Sequence, residues 1–116
     1  RVFCENKGVL RMVQFPAKVK NIIDNYLREL NRNNIPIREA ILFGSYAKGN
    51  YQEWSDIDIA LVSDIFRGNL IEDKDKIRKI TLYISSEIEV FPFAPNDFNL
   101  QNPFAKNILQ TGIKLI

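Results

Sequence analysis

The amino-acid sequence predicts an α/β (α+β) layered domain, a small mixed β-sheet flanked by helices. Two observations carry that expectation. Stretches with apolar residues at helical spacing alternate with short runs that are wholly apolar or alternate in polarity, the pattern of helices packed on a sheet. The 116 residues, 46% of them apolar, suffice for one hydrophobic core and leave no room for a second substantial domain. A single domain is expected over 12–116. Residues 1–11 show no clear period and read as an N-terminal extension.

After Pro16, the residues Val19, Ile22, Ile23, Tyr26, Leu27 and Leu30 recur at helical intervals until the run Asn31-Arg32-Asn33-Asn34. This is an amphipathic helix with one core-facing stripe. Ala40-Ile41-Leu42-Phe43 is a buried strand delivered into a tight turn at Gly44-Ser45, and Ser45 is placed to cap a short helix through Ala47 and Lys48. From Asp56 the pattern has period two, with Asp56, Asp58 and Ala60 on one face and Ile57, Ile59 and Leu61 on the other. The segment from Ile71 through Ile77 and Ile80 toward Ile84 is a helix whose interleaved charges read as its solvated face. Ile88, Val90 and Phe91 predict a further strand ending at Pro92, with Glu87 and Glu89 on the face opposite Ile88 and Val90. Asn102-Pro103 supplies a cap and a first-turn proline for a last helix, Ile108 and Leu109 its buried stripe, and Gly112 its stop.

Composition removes several kinds of chemistry. There is no histidine, which excludes histidine general bases, serine or cysteine triads and His/Cys zinc sites together. What remains is carboxylates, lysines and hydroxyls, and carboxylate oxygens suit hard ions such as Mg²⁺ or Mn²⁺. Sixteen lysines and arginines against fourteen acids leave a net charge of +2, too balanced to hold nucleic acid by bulk electrostatics. Cys4 has no second cysteine to pair with, so nothing demands an oxidising compartment. No apolar run approaches the roughly 20 residues that span a bilayer, and a cytoplasmic, membrane-free protein is expected.

The candidate chemistry lies in two neighbouring stretches, Leu42-Phe43-Gly44-Ser45-Tyr46-Ala47-Lys48-Gly49 and Trp54-Ser55-Asp56-Ile57-Asp58-Ile59-Ala60-Leu61. Glycine at 44 lets backbone approach a phosphate closely, and Ser45 adds a hydroxyl donor. Asp56 and Asp58, two apart on an extended segment, project side by side and can share divalent ions that bridge triphosphate oxygens. Carboxylates crowded together without a cation repel and raise the pKa of at least one of them, so the arrangement calls for metal.

These residues resemble the nucleotidyltransferase superfamily that includes DNA polymerase beta, and most closely its small single-domain branch, the minimal nucleotidyltransferases of antitoxin type. Gly44-Ser45 is followed by ten residues and then Asp56-Ile57-Asp58, as in that family's Gly-Ser, ten residues, Asp-x-Asp signature. Gly49, Ser55 and the preceding apolar strand fit as well, and Asn107 to Gly112 looks like the family's closing helix. The resemblance implies the nucleotidyltransferase fold and a two-metal transfer of a nucleoside monophosphate, AMP from ATP in the leading reading, to a hydroxyl acceptor. It implies ATP held at Gly44, Ser45, Lys48 and Ser55, two Mg²⁺ ions (or Mn²⁺) at Asp56, Asp58 and a third carboxylate, and catalysis by the same three acids. By strand order the third falls on Glu89, where the family more often has aspartate, with Glu87 as the alternative. The acceptor it implies is a small helical partner protein of HEPN type in a toxin-antitoxin pair, with nucleic acid not expected as direct substrate and homo-oligomer formation left open.

Plainer readings stand beside these. Lys48 is equally a surface lysine, Ser55 a support for the loop before the aspartates, and Tyr51 and Trp54 packing for that loop. Glu53 and Asp64 carry no spacing that requires metal. A non-catalytic module, binding nucleotide or neutralising a partner by contact, is the competing function.

Overall fold

The computed structural model describes residues 15–116; the expected extension over 1–11, Cys4 within it, lies outside the described residues. Helix α1 is Ala17–Arg32, strand β1 Glu39–Phe43, helix α2 Ser45–Lys48 and strand β2 Ile57–Val62. Helix α3 (Leu70–Ile84), strand β3 (Ile88–Phe93), a 3₁₀ turn (Pro95–Asp97), helix α4 (Pro103–Thr111) and strand β4 (Ile113–Lys114) complete the order. The four strands form one sheet in the order β3-β2-β1-β4. It is mixed, with β1 antiparallel to β2 and β4, and β2 parallel to β3 through the α3 crossover.

Alternation along the strands builds two cores. Ala40, Leu42, Ile57, Ile59, Leu61, Ile88 and Val90 face α1 and α3, where Val19, Ile23, Tyr26, Leu30 and Ile77 close over them. The other face carries Ile41, Phe43, Ala60, Val62 and Phe93, covered by Phe98, Ala105 and Ile108. The α1 stripe is as expected, with Ile22 and Leu27 at its half-buried rim. Tyr26, wholly buried, is joined to Thr81 Oγ1 at 2.7 Å, and Thr81 donates to the Ile77 carbonyl, which ties α1 to α3. Burial pushes the Tyr26 hydroxyl up to about 12 against the lowering effect of the Thr81 bond, so it stays neutral.

Five local expectations are corrected. Asp56 precedes β2, which begins at Ile57. The strand expected to stop at Pro92 runs on to Phe93; β3 is an edge strand, where a residue without an N–H costs no ladder bond. Ser45 is the first residue of α2 and makes no capping bond, because Gly44, at φ 78°, occupies the cap position. In α4 the buried residues are Ala105 and Ile108, while Leu109 is exposed. Asn102 caps that helix as expected, accepting from the N–H groups of Phe104 and Ala105. Finally, the charges of α3 are not all solvated. Asp73 is fully buried and accepts from the backbone N–H groups of Arg67 and Gly68 and from Lys76. Burial alone would raise its pKa, but these bonds prevail and hold it below the ordinary carboxylate range.

Candidate active site

The Gly44 turn and the first aspartate of β2 meet because β1 and β2 are antiparallel neighbours whose register sets Phe43 opposite Asp58. A Cβ built on Gly44 would lie 2.1 Å from Asp58 Oδ2 and 3.0 Å from its Cγ. Only glycine fits there, on grounds of space and of its positive φ alike. The parallel pairing of β2 and β3 sets Asp58 beside Glu89. Alternation therefore puts Asp58 and Glu89 on the sheet face away from α1, at the end of the strands, with the exposed Asp56 one step before β2.

Electrostatics agree with that placement. The Asp58 carboxyl is raised from 3.8 to about 6, first by burial, then by the negative charges of Asp56 and Glu89. Three acids therefore share one field. Among the described residues, no group of three acids is arranged so that it could hold a metal ion as the side chains stand. Glu89 is held elsewhere: its Oε2 is 2.9 Å from Lys74 Nζ. All-oxygen donors under mutual repulsion, with the half-buried Asp58 against the glycine turn, are the donor type a hard divalent cation takes.

Glu87 is not in this group. It lies in the turn before β3, so strand alternation does not extend to it, and its carboxylate sits 3.7 Å from Lys18 Nζ of α1. Tyr46 feels that charge: burial first, then Glu87 and Tyr51, raise its pKa. Glu87, Tyr46 and Tyr51, with Lys18 and Glu53, line a separate groove of about 430 Å³, in which Tyr46 and Tyr51 stack with centroids 4.6 Å apart. Tyr51 thus packs as expected, whereas Trp54 is 79% exposed and does not.

Ser55 Oγ accepts the Gln52 N–H at 2.8 Å, which gives it a loop-supporting contact. Lys48 is exposed on the last turn of α2. Asp64 pairs with Arg38 at 3.0 Å, beyond the far end of β2 from Asp58. The residue that the sequence reading passed over is Lys74, counted there among solvated charges. Only the packing of α3 against β3 brings it to Glu89.

A small mixed sheet whose two central strands bring a glycine turn and a carboxylate together at one end of the strands defines a layered α/β domain. The chain belongs to the nucleotidyltransferase domain family, whose profile matches residues 23–115. Two proteins of Methanocaldococcus jannaschii, each named "putative protein adenylyltransferase", are similar to it. One is 37% identical over 78 residues, covering 66% of this chain and 75% of that protein; the other is 31% identical over 105 residues, covering 84% and 71%. A solved structure described as a toxin-antitoxin crystal structure with AMP-PNP shares the fold at a TM-score of 0.56 and 26% identity, over 79% of this chain and 71% of that one.

Proposed function

We propose that this chain transfers AMP from ATP to a hydroxyl group on a partner protein, and that it serves as the antitoxin of a pair whose toxin is a small helical HEPN-type protein. The contact of Asp58 with Gly44 carries the reading, since it puts an acid able to hold metal at the turn that would face the triphosphate. The names of the two relatives support protein as the acceptor class, and the neighbour with AMP-PNP supports an adenine nucleotide and a toxin partner.

In this reading Asp56, Asp58 and Glu89 would hold two Mg²⁺ ions, or Mn²⁺, which would supply neutralisation of the triphosphate charge. Gly44 admits the phosphates close to the backbone, and Ser45 donates its hydroxyl to a phosphate oxygen; Lys48 and Ser55 flank the nucleotide. The acceptor oxygen bonds to the α-phosphorus as the bond to the pyrophosphate leaving group breaks. The acceptor proton passes to a carboxylate oxygen, assigned to Glu89.

The test incubates the purified chain with labelled ATP, Mg²⁺ and the product of the neighbouring gene. Label should move to the partner, and Asp56→Asn and Asp58→Asn should each lower the rate by at least about a hundredfold. The grip of Lys74 on Glu89 favours a second reading, a module that neutralises its partner by contact without chemistry. Unimpaired neutralisation by both asparagine variants would select that reading over transfer.

A further inference from the structure

Lys74 sits in the second turn of α3, with its side chain 34% exposed and that of Glu89 42% exposed. Its ammonium donates to Glu89 Oε2 at 2.9 Å and stands 5.8 Å from the centre of the Phe91 ring, two residues further along β3. The other cations of this helix with defined contacts go elsewhere: Lys76 to the Ile65 carbonyl and Asp73, Arg78 to Asp75. Lys74 and Arg78 line a groove of about 320 Å³ that opens onto Glu89.

We propose that Lys74 is a positioning residue, an internal counter-ion that holds Glu89 in the metal-free protein and opposes the binding of a divalent cation to it. The inference rests on the site reading above, in which Glu89 is the third metal-binding acid. Lys74 engages Oε2 alone, which bars both oxygens of Glu89 from one metal ion, and its charge repels a cation approaching Oε1, so the ammonium and the metal work against each other. Without Lys74, the acids whose charges act on Asp58 would lose the ammonium that pairs with Glu89. Glutamate suits this exchange better than aspartate, because its extra methylene lets the carboxylate swing from lysine to metal while β3 stays fixed in its ladder with β2. The cost falls on metal affinity, which is set below what the acids alone would give.

The experiment measures Mn²⁺ binding to the intact chain without nucleotide, by the electron-spin signal of free Mn²⁺. Lys74→Met keeps an unbranched side chain of similar length and removes the charge. It should tighten Mn²⁺ binding roughly two- to fivefold, the range of a partly exposed ion pair. Lys74→Arg should restore the wild-type dissociation constant. In a Glu89→Gln background, Lys74→Met should change binding less than about twofold, because the carboxylate through which it acts is gone. Unchanged or weaker binding in Lys74→Met overturns the assignment. So does an equal gain in the Glu89→Gln background, which would mark a diffuse field effect of one fewer positive charge. Wild-type protein that binds no Mn²⁺, or binds it no better than Asp58→Asn, overturns the site reading and this inference with it. Mn²⁺ binding that Asp58→Asn abolishes and Lys74→Met leaves alone overturns the role of Lys74 only.

Discussion

Replacing Asp58 with asparagine should make the metal-free protein more stable at alkaline pH while removing metal affinity. The folded protein raises this carboxyl from 3.8 to about 6, through burial, then Asp56 and Glu89. A folded state that raises a pKa binds the proton more tightly than the unfolded chain does. The resulting stability is fully present below about pH 3.8 and is lost as pH rises through about 6. A rise from 3.8 to about 6 corresponds to about 3 kcal/mol at full weight. Solvent reaches this half-buried group, and screening reduces that to about 1–2 kcal/mol. Asparagine reproduces the neutral form at every pH. Thermal unfolding with chelator present should therefore show Asp58→Asn melting about 4–10 °C above wild type near pH 8. Near pH 4 the gap should shrink toward zero. Saturating Mg²⁺ with ATP should raise the wild-type Tm and leave the variant unmoved. A gap independent of pH, or a variant less stable than wild type near pH 8, would refute the idea that Asp58 is held against its neighbours' charge.

Two further substitutions probe the frame around the site. Asp73→Asn keeps the shape but gives up a charged acceptor for the Arg67 and Gly68 N–H groups and Lys76, and should cost about 2–3 kcal/mol in urea denaturation near pH 7. Because the Asp73 pKa is depressed in the fold, its contribution is present above the unfolded carboxylate pKa and disappears as pH falls through the lower folded value, so the variant should show less acid-induced loss of stability than wild type. Gly44→Ala forces a Cβ to 2.1 Å from Asp58 Oδ2 at φ 78°. The backbone conformation alone should cost of order 1–3 kcal/mol, and label transfer should vanish even where circular dichroism shows a folded protein.

The α1 stripe, β1 and the alternation of β2 could be read directly, because each buries one face and burial imposes a period on the residues themselves. The glycine turn was equally visible, since at position 44 both the positive φ and the approach of Asp58 admit no Cβ. Glu87 shows where such reading ends. Alternation placed it with Glu89, but a turn before β3 breaks the period, and the carboxylate goes to Lys18 instead. The β4 strand was missed for a related reason: two residues pairing with Ile41 and Leu42 leave no periodic trace.

By itself, then, the sequence determined the layered fold class, the glycine turn, the Asp56 and Asp58 pair and the absence of histidine chemistry. These are properties of residue type and short-range spacing. Only the tertiary structure decided that Asp58 presses on Gly44, that Glu89 stands beside Asp58 with Lys74 on its carboxylate, and that Asp73 is buried. Those contacts join residues 14, 31 and 15 positions apart, or depend on how a helix rolls against the loop before it. Strand register and helix rotation settle them, and both are fixed by the whole core closing at once rather than by any local run of residues.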